Sequence, residues 1–194
     1  MNNTQVLLKR RPNGAPVAAD FEAVTTVMAG PQDGEALIKN EYISMDAGFR
    51  NWMDEDAGDA VLPAMALGQP VMGLTVGVVA ESRHATLKEG DLVMGRLAWE
   101  QYSLAGDDFL VVLDHQDTDT PKHFHLGILG DTGMSAYFGL TDIGQPRAGE
   151  TVVISAAGGA VGYVAGQIAK LMGAGRVVGL TSSNVKGEKL KSEL

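Results

Sequence analysis

The 194-residue chain contains no cysteine. That excludes disulfides, thiolate metal sites and a cysteine nucleophile, and it fits a reducing cytosol. Basic residues are scarce: 15 Lys and Arg face 24 Asp and Glu, a formal net charge of −9. A nucleic-acid partner wants a basic face, and an anionic membrane surface is disfavoured for the same reason. No run reaches about 18 uninterrupted apolar residues. The opening MNNTQVLLKRRPNGAP has basic residues but no apolar stretch behind them, so neither a membrane span nor a signal peptide is expected. Internal repeats and low-complexity linkers are also missing. What is present is 45% apolar residues and 25 glycines, the composition of a globular chain with many turns and close backbone approaches.

The first two-thirds read as short strands between turn signals. TQVLLKR, FEAVTTVMA, EALIKNEYISM, MGLTVGVVAES and DLVMGRLAWEQYSLA each carry strand-like residues bounded by Gly, Pro or Asp. Strands at this spacing predict a small barrel or a sandwich. After about residue 120 the rhythm changes. HFHLGILGDTGMSAYFGLTDIG reads as one or two helices, GETVVISAA as a turn and a strand, and GGAVGYVAGQIAKLMG as a helix. In that last helix Val161, Val164, Ala165, Ile168 and Leu171 fall on one stripe. GRVVGLTS reads as a second apolar strand and VKGEKLKSEL as the opening of another helix. Strand, helix, strand, helix is the unit of a parallel sheet. The expected fold is therefore a β-barrel over residues 1–125 followed by an α/β segment over 126–194.

Between the strand and the helix lies Ala156-x-x-Gly159-x-x-Gly162. Gly159 would let the backbone approach a pyrophosphate, and Gly162 would let the helix pack closely on the strand. The helix N-terminus adds open N–H groups and partial positive charge. The first position is Ala156, a departure from the strict G-x-G-x-x-G form. A dinucleotide site is the favoured reading, with a tight turn in some other βαβ unit as the alternative. NAD sites usually end the second strand with Asp or Glu. Here GLTSSNVK holds no acid before Glu188, and Thr181 and Ser182 leave room for a 2′-phosphate that Lys186 could neutralise. NADPH is expected over NADH. A solvated helix-start lysine is the other reading of Lys186.

Several stretches carry a family resemblance: RPNGAP, EYISMDAGFRNWM, GDLVMGRLAWEQYS, GRVVGLTSSNVK and, above all, the segment from Leu126 to Lys170. On these the sequence resembles the zinc-independent medium-chain dehydrogenase/reductases, within them the prostaglandin reductase, alkenal double-bond reductase and curcumin reductase group. The resemblance implies a GroES-like N-terminal barrel joined to a Rossmann domain. It also implies an NADPH-dependent transfer of hydride to the β-carbon of an α,β-unsaturated aldehyde or ketone. A quinone oxidoreductase of the same superfamily, or a non-catalytic nucleotide-binding or interaction protein, are the alternatives.

By the same resemblance Gly158, Gly159, Ala160, Val161 and Gly162 fall on the pyrophosphate loop and Lys186 on the 2′-phosphate lysine. Thr132, Gly133 and Ser135 fall at a helix start beside the nicotinamide. Tyr137 falls on that motif's tyrosine, either a catalytic group or a packed aromatic. Asp46 and Arg50 fall on a turn bordering the substrate cleft, or form a structural ion pair. Gly48 and Phe49 occupy that turn where many relatives place a tyrosine, which implies a larger cleft. Asp131 and Thr132 also depart from the usual pattern, so the helix cap there is expected to shift.

No metal is expected. The four histidines, 84, 115, 123 and 125, are scattered, and His123-x-His125 offers two donors where zinc needs three or four. Two Rossmann strands are legible of the usual six, and fourteen residues follow Leu180. The expectation is a fragment that binds NADPH weakly and turns over poorly unless it associates with itself.

Overall fold

The computed structural model describes residues 1–58, 62–106, 110–113 and 120–193. The chain divides into two compact units, Met1–Lys122 and His123–Leu194.

The first unit is all-β with short 3₁₀ turns. Strand β1 (Asn2–Leu8) pairs antiparallel with β2 (Phe21–Val27). A five-stranded sheet follows, built from β3 (Ala36–Ile43), β4 (Met72–Ser82), β5 (Leu92–Ala98), β6 (Tyr102–Ala105) and β7 (Leu110–Val112) in the order β6-β3-β4-β5-β7. All its pairings are antiparallel. The DLVMGRLAWEQYSLA stretch, read from sequence as one strand, is two. The chain leaves β5 at Trp99, whose N–H donates to Val71 O (2.7 Å) and whose O accepts from Val6 N (2.8 Å). Those bonds and the bridge Gln5↔Glu100 bring β1 against the sheet and begin to close it.

The unit has two clusters of buried side chains. One gathers Leu8, Phe49, Met53, Met65 and Val71, with Trp99 and Phe21 stacked at 5.8 Å beside it. The other gathers Ala36, Ile38, Val79, Leu87 and Val93. Where three strands meet, the Glu100 carboxylate accepts from Asn3 Nδ2 (3.0 Å), Gln5 Nε2 (2.6 Å) and Ser103 Oγ (2.7 Å). Three donors on one carboxylate offset the cost of taking it out of water.

The turn before β2 is held by Asp20, which is 2% exposed. It accepts from Val17 N (2.8 Å) and from Arg10 Nε (2.6 Å). Those two hydrogen bonds, the backbone one first, hold the carboxyl below the usual carboxylate range.

The second unit is α/β. Helix α1 (Asp131–Phe138) runs into a π-helical turn over Gly139–Gly144. Then come β8 (Thr151–Ile154), α2 (Ala160–Leu171), β9 (Arg176–Gly179) and α3 (Asn184–Glu193). β8 and β9 pair in parallel, Thr151 with Arg176 through Ile154 with Gly179. The core joins Ala136 and Leu140 to Val164, Ala165 and Ala169, with Val152, Ile154 and Val177 from the strands.

The predicted α2 stripe is corrected at both ends: Val161 is 43% exposed and Leu171 88% exposed. The buried face is made instead of Gly162, Val164, Ala165, Gly166 and Ala169. Small side chains there let the helix approach α1 and the strands closely, so the large apolar residues at the helix ends are not needed inside.

Candidate functional site

β8 delivers the chain into a turn over 155–159, and α2 leaves it. Ala157 N donates to Leu180 O and Leu180 N to Ile154 O, both at 2.9 Å, so the turn is fixed to the end of β9. Gly159 N donates to Ala156 O (2.8 Å), closing the loop. Gly159 is the N-cap of α2, with φ −92° and ψ 172°. The first bond into the helix is Tyr163 N to Gly159 O (2.9 Å). The N–H groups of Ala160 and Val161 therefore have no helical acceptor, at the end of the helix that carries partial positive charge.

Each glycine of the turn has a distinct physical reason. A Cβ on Gly162 would stand 2.5 Å from Ala156 O and 2.7 Å from Ala157 Cα, so the helix start fits under the turn only without a side chain. Gly159 is exposed, and a Cβ there would meet only Ala156 O, at 3.2 Å. Glycine at 159 keeps the outside of the turn bare for an approaching group. Ala156 takes φ +48°, the left-handed region that favours glycine. The departure from the glycine pattern at this position thus sits on a strained backbone.

Lys186, on the first turn of α3, lies over Gly158: a Cβ on Gly158 would stand 3.2 Å from Lys186 Cβ and 3.3 Å from Cδ. Lys186 is exposed, and no acidic side chain among the described residues pairs with it. Gly158, Gly159, Ala160 and Lys186 thus line one cavity of about 390 Å³, within the range of small-ligand sites.

The predicted hydroxyls behave differently. Thr181 Oγ donates to Ser183 O (2.7 Å), so its proton is used inside the turn, while Ser182 is exposed. Ser183 was not singled out in the sequence. Its carbonyl accepts from Gly187 N (3.1 Å) and its hydroxyl stands 3.4 Å from Lys186 N, which sets the start of α3. A serine just before a helical run is the signal that could have found it.

On α1 the structure places Thr132 half-buried and Gly133 buried against the Ile128 carbonyl. Ser135 is exposed. The helix starts at Asp131 with Gly130 as N-cap and no side-chain cap. Tyr137 is 51% exposed and meets Phe138 edge-on at 5.3 Å, so it is not the packed core aromatic that was one of its two readings.

In the first unit Asp46 and Arg50 do not pair. Asp46 Oδ1 accepts from Gly48 N (2.8 Å) and caps the 3₁₀ turn Ala47–Met53. Arg50 bonds Asp54 (2.8 Å), Gly14 O (2.9 Å) and Pro12 O (3.0 Å), tying down the RPNGAP loop. Phe49, read as a cleft residue, is 7% exposed and packs in the core with Leu8 and Met53.

Among the described residues no group of three or more His, Cys, Asp or Glu could hold a metal ion. His84 Nδ1 accepts from Thr86 N (3.1 Å) and Leu87 N (3.2 Å), a turn role. His115 lies outside the described residues. No helix among the described residues is long and apolar enough to cross a membrane.

Residues 4–113 match the family described as the N-terminal domain of oxidoreductase. YfmJ of Bacillus subtilis is 45% identical over 98% of this chain and 54% of its own length. The NADPH-dependent curcumin reductase of Escherichia coli is 39% identical over 95% of this chain and 52% of its own. The chain belongs to the medium-chain dehydrogenase/reductase family. Among solved structures of the family, CurA from Vibrio vulnificus in complex with NADPH superposes with a TM-score of 0.84, at 36% identity, over 97% of this chain and 54% of that one. The expected GroES-like barrel followed by α/β structure matches the two units, the first being a curled half-barrel and the second α/β. The chain spans about half the length of the family relatives it matches.

Proposed function

We propose that the second unit binds NADPH, and that the protein reduces the C=C bond of α,β-unsaturated aldehydes or ketones. The observation that carries the cofactor reading is the bare turn at Gly158 and Gly159 beside Lys186, a cation with no acidic partner among the described residues, together with Leu180 and Thr181, rather than an acid, just after β9. A carboxylate at that strand end would bind a ribose 2′-OH; a lysine suits a 2′-phosphate. The reaction class rests on relatives named for it: the curcumin reductase, and the 2-alkenal reductase of Nicotiana tabacum at 39% identity.

The chain's residues bind and orient. The open N–H groups of Ala160 and Val161 donate to the pyrophosphate, which the bare turn at Gly159 lets approach. Gly162 sets the height of the helix start, Gly158 seats Lys186, and Lys186 meets the 2′-phosphate. Thr132, Gly133, Ser135 and the exposed Tyr137 present the α1 side of the site, with Tyr137 the candidate donor to the substrate carbonyl. Asp46 and Arg50 act through the loops they hold. When bound, the nicotinamide supplies the hydride for the β-carbon, and a proton completes the α-carbon. Donors held toward the carbonyl oxygen stabilise the enolate charge.

The test is NADPH consumption with an enone, an enal or a quinone as acceptor, after the mass of the assembly is measured. Saturated carbonyl product from the enone supports the reading. Consumption with the quinone alone reassigns the acceptor, and no binding of NADPH overturns the cofactor assignment.

A further inference from the structure

We infer that Lys189 is a second cation for the ribose 2′-phosphate, and that Glu193 restrains it when the phosphate is away. This rests on the NADPH reading above. The cavity beside the glycine turn is lined from α3 not by Lys186 alone but also by Lys189 and Glu193, and from α2 by Tyr163. Lys186 and Lys189 are three apart on one helix, which places them on the same face. The third lysine of α3, Lys191, does not line this cavity and is paired with Glu188 at 3.0 Å.

Lys189 Nζ stands 3.7 Å from Glu193 Oε1, and both side chains are well exposed at 72% and 41%. An exposed i,i+4 pair is weak, because solvent screens both charges. A phosphate dianion beside Lys186 is a stronger partner for the ammonium than a solvated carboxylate at that distance. Lys189 therefore exchanges Glu193 for the phosphate on binding. Glu193, left in the same cavity, then repels the phosphate. The arrangement gives one permanent cation, Lys186, and one competed cation, Lys189. The 2′-phosphate preference of the site is set by the balance between Lys189 and Glu193 as well as by Lys186.

The experiment is isothermal titration of 2′,5′-ADP and of 5′-AMP into the full chain and four variants: Lys186→Ala, Lys189→Ala, Glu193→Gln and Lys191→Ala. The two ligands differ only by the 2′-phosphate. Lys189→Ala weakens 2′,5′-ADP by about three- to tenfold, the scale of one exposed charge-assisted contact, and leaves 5′-AMP unchanged. Glu193→Gln tightens 2′,5′-ADP by about two- to threefold, and Lys191→Ala changes neither ligand. All four positions are exposed, so circular dichroism should show unchanged folding. Equal 2′,5′-ADP affinity for the Lys189→Ala and unchanged proteins overturns the inference, as does an equal loss of both ligands. If Lys186→Ala abolishes the preference for 2′,5′-ADP while Lys189→Ala keeps it, the NADPH reading stands and this inference alone fails. If the unchanged protein does not prefer 2′,5′-ADP, both fail.

Discussion

The stem of Lys186 rests on the Cα of Gly158, with only 3.2 to 3.3 Å between its methylenes and the place a Cβ would take. The lysine that faces the glycine turn is therefore aimed by the missing side chain of Gly158. Gly158→Val should push the stem aside and lower the preference for NADPH over NADH by about three- to tenfold, the worth of one displaced exposed cation. Melting temperature should barely change, because the lysine is exposed and flexible. Competitive titration of the two dinucleotides checks this; an unchanged preference would show that Lys186 reaches its target by another path.

Gly162 is constrained by backbone rather than by a ligand. Gly162→Ala puts a Cβ against Ala156 O and Ala157 Cα, neither of which can rotate away. Overpacking of this kind costs about 1–3 kcal/mol, partly offset by about 1 kcal/mol of helix propensity. Urea unfolding should show a net loss, and nucleotide affinity should fall with it as the helix start lifts. A variant as stable as the original would contradict the packing reading.

Ala156 makes the opposite prediction. Its φ of +48° costs an L-residue about 1–2 kcal/mol, and glycine gives back about 0.5–1 kcal/mol of that through chain entropy. Ala156→Gly should leave stability unchanged or raise it by about 1 kcal/mol. A clear loss would mean that the Ala156 methyl packs usefully.

Legibility in the sequence followed the range of the interactions. β4 was readable end to end because Met72–Ser82 is bounded by its own turn residues. Gly162 was readable because its constraint comes from Ala156 and Ala157, only six and five residues before it. The break at Trp99 was not, since it is made by Val6 and Val71, far away in the chain. Phe49 was assigned outward because only a distant core, with Leu8 and Val71, turns it inward. The α2 stripe misled at Val161 and Leu171 because counting large apolar residues overlooks a face made of glycine and alanine. Of the two readings of Asp46 and Arg50, cleft border or ion pair, the pair does not form, because Asp54 and two loop carbonyls distant in the chain take the Arg50 guanidinium.

Asp20 gives a pH prediction. The bonds from Val17 and Arg10 place its folded value below the ordinary carboxylate value of about 3.9. A lowered value means that the fold favours the ionised form. The stabilisation is complete above the ordinary value and is lost as pH falls through the folded one. Asp20→Asn should lower the melting temperature at neutral pH and flatten its decline between about pH 5 and the folded value. Parallel acid limbs for the two proteins would contradict the assignment.

The most direct test of the account is a fluorescence titration of NADPH and NADH into the full chain and its Lys186→Ala variant. The prediction is tighter binding of NADPH than of NADH to the unchanged protein, and loss of that difference in the variant with NADH affinity preserved. Equal affinities in the unchanged protein, or a preference that survives Lys186→Ala, would contradict it.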